Sequence, residues 1–253
     1  MDHDAVIAFC EALQASTTLQ ELTISDVPSF GGFHGRTLPV SLKRFEWNMG
    51  DDEVVDDATL TDLATAVGPT QLQHLLCNGF GSLATRPAAA PMLSQLQSLV
   101  VYQIDPDTME ALIAGVASVP ALTSLELAMN DESSTRTIEH LMASLATTCV
   151  HLQTLHISAD ALTRERLVLV LSGVLELPQL TSLHVSVCLF EVVHVLPELV
   201  AAELPLVLRA LARVPDVPFV LQKPSRVDAF VGNALAPRSD PQHQCRLDTG
   251  IYR

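Results

Sequence analysis

Residues 122–127 read Leu-Thr-Ser-Leu-Glu-Leu, and the frame Leu-x-x-Leu-x-Leu, or a near variant, occurs seven times in the chain. Four copies precede this one: Leu19-x-x-Leu22-x-Ile24, Leu42-x-x-Phe45-x-Trp47, Leu72-x-x-Leu75-x-Cys77 and Leu96-x-x-Leu99-x-Val101. Two follow it, Leu152-x-x-Leu155-x-Ile157 and Leu180-x-x-Leu183-x-Val185. Their first positions lie 23, 30, 24, 26, 30 and 28 residues apart. A unit of this length, ending in an alternating apolar pair, is how each layer of a solenoid adds one strand to a shared parallel sheet.

Ahead of five of these phrases runs a second pattern. Leu60, Leu63, Ala64 and Val67 are spaced as one face of a 3.6-residue helix. The same spacing recurs in Met109, Leu112, Ile113 and Val116, in Ile138, Leu141, Met142 and Leu145, and in Leu167, Val170, Leu171 and Val174. Val6, Cys10 and Leu13 give a thinner version at the start. From the first residue of each helical set to the next phrase is 12, 13, 14, 13 and, for Val6, 13 residues, so helix and strand keep a fixed phase. Helix starts are expected near Asp57, Asp107, Thr135 and Thr163, where capping residues stand.

The segments 25–41 and 78–95 are rich in Gly and Pro and coincide with the short periods of 23 and 24 residues, so an extended or 3₁₀ connection is expected in each. A degenerate eighth unit follows. Leu204, Val207, Leu208 and Leu211 fit a helix, and Val217-Pro-Phe-Val220 fits an edge strand. The expected architecture is an α/β solenoid over residues 1–222, an uneven arc with a parallel concave sheet and a mostly helical convex side. Residues 223–253 are polar and aperiodic and read as a tail.

Hydrophobic residues make up 48% of the chain and aromatics only 4%, so the layers are built from aliphatic side chains of similar thickness. Acidic residues number 29 against 14 basic ones, a formal net charge of -15. Such a body repels phosphate backbones and anionic lipid, so no nucleic acid or membrane is expected among its ligands and a basic protein partner is favoured. The five cysteines are scattered with no Cys-x-x-Cys pair, and Cys77 and Cys188 fall at core positions of the repeat. The acidic start leads directly into a helix rather than a secretory signal, and the apolar run from Leu189 to Val214 is broken by glutamates and prolines. A reduced intracellular setting is expected, the cytoplasm first and the nucleus left open.

The repeats resemble the leucine-rich repeat superfamily, and the long helix-bearing units look most like its ribonuclease-inhibitor-like branch. The resemblance covers roughly residues 4–222. In that family the position eight after the first Leu is usually Asn or Cys. Here it holds Asn130, Asp160 and Cys188 in the last three repeats but Val27, Gly50, Phe80 and Ile104 in the first four. The resemblance therefore implies regular turns after the later strands and not after the earlier ones.

Alternation sends the pattern residues into the core and the intervening ones to the concave face. One outward column reads Thr23, Glu46, Leu76, Val100, Glu126, His156, His184, and the next Ser25, Asn48, Asn78, Tyr102, Ala128, Ser158, Ser186. Glu46, Leu76, Val100, Tyr102, Glu126, His156 and His184 are the expected partner-binding residues. His156 and His184 on adjacent rungs suit an acid–base pair or a metal, but a metal needs a third ligand and supporting groups that the sequence does not supply. Surface histidines in a repeated His-x-Ser frame are the preferred reading. Asp51, Asp52, Glu53, Asp56 and Asp57 lack the spacing of a calcium loop and read as an acidic helix start. No phosphate-cradling glycine loop or nucleophile elbow is present, so no catalysis, cofactor, metal or small-molecule substrate is expected.

The function expected is a protein-interaction scaffold that grips a partner in its concave face. The alternative, implied by the family resemblance, is the substrate-recognition subunit of a ubiquitin ligase. In such proteins an F-box segment precedes the repeats, whereas the first helix here already belongs to a repeat.

Overall fold

The computed structural model describes residues 3–24, 30, 32–47, 56–104, 106–129, 135–159, 163–188, 204–214 and 219–222. The chain divides into two compact units, residues 1–124 and 125–253.

The first unit holds helix α1 (His3–Ala15) and strands β1 (Glu21–Ile24), β2 (Arg44–Trp47), β3 (His74–Cys77) and β4 (Ser98–Ile104). Between β2 and β3 lies α2 (Asp57–Val67), and between β4 and the end of the unit α5 (Pro106–Ala117). The strands are adjacent in sequential order and parallel, with Leu22, Phe45, Leu75 and Leu99 in one register. The expected phrases are therefore strands, each beginning one residue before its second apolar position.

A carbonyl ladder sits just outside each strand. The Gln20 carbonyl accepts from the N–H groups of both Lys43 and Arg44 at 2.8 and 2.9 Å. Lys43 does the same for Gln73 and His74, Gln73 for Gln97 and Ser98, and Gln97 for Thr123 and Ser124. One acceptor serving two donors at the same repeat position sets the strand register before the ladder of the sheet begins.

Inward residues alternate with outward ones. Phe45, Trp47, Leu75, Cys77 and Leu99 are buried, and so are Leu60, Leu63, Ala64 and Val67 on the inner face of α2. Leu22 is only half-buried: β1 ends the strand order, and among the described residues no strand pairs beyond it. Asp56 caps α2 by accepting from the Thr59 N–H at 2.7 Å.

The segment after β3 departs from expectation. It is not merely extended or 3₁₀: it carries α3 (Phe80–Ala84), a 3₁₀ turn at Pro87–Ala89 and α4 (Ala90–Leu93). Phe80, Leu83, Met92 and Leu93 are buried, so this short segment still fills its layer. Proline at the start of the 3₁₀ turn and of α4 costs no helical hydrogen bond, which lets the breaks fall between turns. In the segment after β1, residues 32–43 are helix-free as expected, but Phe30 is helical, which departs from the expected extended or 3₁₀ connection.

The second unit holds β5 (Ser124–Met129), α6 (Thr135–Thr148), β6 (Thr154–Ala159), α7 (Arg164–Glu176), β7 (Ser182–Cys188), α8 (Leu204–Arg213) and β8 (Phe219–Gln222). Its strands also follow sequential order, and β6, β7 and β8 pair in parallel with Leu155 opposite Leu183 and His156 opposite His184. The carbonyl ladder recurs, with Gln153 accepting from Thr181 and Ser182 at 2.9 Å each. α6 packs on α7 and α7 on α8, burying Leu141, Leu145, Val170 and Leu171. Thr163 caps α7 through the Arg166 N–H at 3.3 Å. The eighth helix–strand pair expected from residues 204–220 is thus present. Val27, Gly50, Asn130, Asp160 and the tail at 223–253 lie outside the described residues.

Both units are parallel α/β structure in which each strand is followed in sequence by helical or extended segments that return the chain to the next strand.

Candidate functional site

In β2, β3 and β5 buried residues alternate with half-exposed or exposed ones. The outward residues form columns within each unit, because β1 to β4 and β6 to β8 pair in parallel register.

In the first unit the expected column is in place: Thr23, Glu46, Leu76 and Val100 are register partners. The Thr23 hydroxyl donates to Glu46 Oε2 at 3.2 Å. Tyr102 is half-buried, and its backbone N–H donates to Asn78 Oδ1 at 3.2 Å. Ser25 and Asn48 lie outside the described residues.

A third column was not anticipated. Glu21, Arg44, His74 and Ser98 are register partners two residues before the first column, and alternation places them on the same face. The signal was available in the residue preceding the second Leu of each phrase. Arg44 Nε lies 3.9 Å from Glu21 Oε1, a loose ion pair between exposed side chains that contributes little. Burial, and after it the Arg44 guanidinium, pull the His74 imidazole below its ordinary range, while Glu21 pulls the other way.

The sign of this shift gives a prediction. A histidine whose folded pKa is depressed takes up its proton first in the unfolded chain. Stability should therefore fall as pH drops through about 6.5. Urea melts of wild type and His74→Gln at pH 7.5 and pH 5.5 should show a smaller loss in the variant.

In the second unit Glu126, His156 and His184 come together. His156 Nδ1 lies 3.4 Å from Glu126 Oε1. The His156 and His184 rings face each other with centroids 4.2 Å apart and planes tilted by 32°. Both histidines are half-buried, and Thr154 and Ser182 flank them in register. Ala128 and Ser158 are half-exposed in the neighbouring column, whereas the Ser186 side chain lies outside the described set. The arrangement supplies stacking area and polar edges on a face that the described residues leave half-exposed. Among the described residues no group of three or more His, Cys, Asp or Glu is placed to hold a metal ion.

Elsewhere the geometry is structural. Asp56, whose carboxyl the Thr59 N–H holds below the usual range, and Asp57, which pairs with Arg86, begin α2; Asp51, Asp52 and Glu53 lie outside the described residues. Cys10, Cys77 and Cys149 are buried free thiols, and full burial pushes Cys77 up to about 12, which leaves it inert as a nucleophile. The Cys188 side chain and Cys245 lie outside the described set. A cavity of about 30 Å³ beyond the ends of β3 and β4, bordered by Asn78, Ser82 and Thr108, has room for a water rather than a substrate. Among the described residues no helix is long and apolar enough to cross a membrane.

No protein-family model matches the chain, and no curated protein matches it.

Proposed function

We propose that the chain is a leucine-rich repeat solenoid of the ribonuclease-inhibitor-like kind that binds another protein on the open face of its sheet and catalyses no reaction. The observation that carries the reading is the outward columns of β2, β3 and β4: half-exposed side chains in register, apolar at Leu76 and Val100 and polar at Glu46 and His74. Broad, shallow surfaces of this kind suit proteins, whereas small molecules favour enclosed pockets. Each unit offers its own patch. The first centres on Leu76, Val100 and Tyr102 beside Glu46, and the second on Glu126, His156 and His184. A net charge of -15 favours a basic partner.

Aromatic anchors dominate protein interfaces, so the first patch should carry more binding energy than the second. Tyr102→Ala should weaken partner retention by about 2 kcal/mol, roughly 30-fold. His184→Ala should cost less, and both variants should keep the wild-type circular dichroism because neither side chain enters the core. Charge reversal at Glu46 or Glu126 should mainly slow association, with high salt acting alike. The experiment is affinity capture with mass spectrometry, followed by the four variants against the captured partner. Undiminished binding in all four would remove the interface from this face. Ligase subunits in the eluate would replace the scaffold by a ubiquitin-ligase substrate receptor in the cytoplasm or nucleus.

A further inference from the structure

Between β1 and β2, residues 32–38 form a helix-free strap. Its backbone has positive φ at Gly32 (96°), His34 (52°) and Gly35 (75°). Positive φ interspersed with negative φ in a tight turn brings successive N–H groups toward one point and makes an anion-binding nest. That point is occupied by Asp62, carried on α2. Its Oδ2 accepts from the N–H groups of Phe33 at 2.5 Å and His34 at 3.0 Å, and its Oδ1 from Gly35 at 2.6 Å. A Cβ on Gly32 would fall 2.8 Å from Asp62 Oδ2, so the carboxylate and the glycine fit only together.

Other contacts tie the strap to both flanking helices. Leu38 N–H donates to the Ala66 carbonyl at 2.9 Å. Arg36 pairs with Glu11 at 2.7 Å, and the Gln14 amide donates to Thr37 Oγ1 at 3.3 Å. Beneath the strap lies the aromatic part of the core. The buried Phe33 ring is 5.1 Å from Phe30, 5.5 Å from Trp47 and 6.2 Å from Phe45. The Cys10 thiol, also buried, points at the Gly32 carbonyl at 3.9 Å.

We propose that residues 33–35 are a backbone receptor for a carboxylate whose resident ligand is Asp62, and that this latch holds the strap closed over Trp47 and Cys10. The ion pair and the Gln14 contact are exposed side-chain interactions that exchange readily with water. Three convergent charge-assisted bonds to one rigid backbone turn are stronger, so Asp62 is the positioning residue of the segment. A receptor emptied of Asp62 should accept a small free carboxylate in its place.

The chain itself supplies two reporters. Trp47 is its single tryptophan, so emission reads the packing under the strap directly. Cys10 alkylation, followed by peptide mass spectrometry against buried Cys149 in the second unit, reads access. In Asp62→Ala, with far-ultraviolet circular dichroism retained, Trp47 emission should shift to the red and Cys10 should label roughly tenfold faster relative to Cys149, as a local opening would produce. Sodium formate should reverse both changes saturably, sodium chloride at equal ionic strength should not, and wild type should respond to neither. Wild-type emission and labelling in Asp62→Ala would overturn the latch. An opened strap that formate leaves open would overturn the receptor. Should Asp62→Ala not fold, Asp62→Asn decides alone, since it fills the nest without a charge: faster Cys10 labelling in a folded chain supports the latch, and wild-type labelling overturns it.

Discussion

Leu155→Ala should lower stability by about 2–5 kcal/mol, because Leu155 is fully buried and its layer cannot collapse around the lost methyl groups. Its strand β6 is held in parallel register against β7, with Leu155 opposite Leu183, and that leucine is fully buried too. In the solenoid proposed above each layer would be half of its neighbour's core, so the loss should not stay local. Against a domain stability of ~5–15 kcal/mol this is a large fraction. Urea denaturation should show a lowered midpoint, and hydrogen exchange should quicken in β7 as well as β6. His156→Ala supplies the internal control. His156 is the next residue on the same strand but points outward, paired with Glu126 in a half-exposed contact worth no more than about 1 kcal/mol. Equal midpoint shifts for the two variants would contradict the assignment of alternate residues to core and face.

The strands were legible in the chain because three apolar positions per phrase give each strand its inward side, and the phrase repeats. Leu155, Leu183 and Leu75 are where that spacing puts them. The helices were legible for the same reason, and the start of α2 behind the Asp56 cap and of α7 behind the Thr163 cap follow from capping chemistry. What escaped was the content of the Gly- and Pro-rich segments. Gly79, Gly81, Pro87 and Pro91 read as breakers, yet Gly79, Pro87 and Pro91 stand at the starts of short helical turns and Gly81 lies inside α3. Local composition cannot say whether a glycine breaks a helix or lets another backbone come close. That depends on the neighbour, which is distant in sequence.

The outward face was half legible. The Thr23–Glu46–Leu76–Val100 column and the His156–His184 pair follow from alternation, and they stand in register. The column through Glu21, Arg44, His74 and Ser98 obeys the same rule but precedes the pattern's second apolar position, where the repeat consensus carries no information. Asp62 was invisible for a different reason. Its role rests on positive φ at His34, a residue for which that conformation is uncommon, and on a contact made 27–29 residues away along the chain.

Gly81→Ala tests the close approach directly, because two effects of opposite sign meet there. Gly81 lies within α3, where alanine in place of glycine would by itself stabilise a helix by about 0.5–1 kcal/mol. A Cβ at that position, however, would sit 2.6 Å from both the Ala111 carbonyl carbon and the Leu112 nitrogen of α5. Those are backbone atoms, so relief requires α5 as a whole to move away from α3, on which it packs. Overpacking of this kind costs typically 1–3 kcal/mol and occasionally more. We expect it to prevail, for a net loss of about 2 kcal/mol, read as a lowered urea midpoint with wild-type dichroism before the transition. Adding Ala111→Gly should restore little, since the Ala111 side chain, 3.0 Å from the added carbon, is not the nearest obstacle. Gly35→Ala offers the opposite case: no atom lies within 4 Å of its added Cβ, but φ is +75°, so it pays backbone strain of ~1–2 kcal/mol without a clash. A stabilised Gly81→Ala would mean that helix propensity outweighs packing, and that α3 and α5 have room to part without loss of the layer between them.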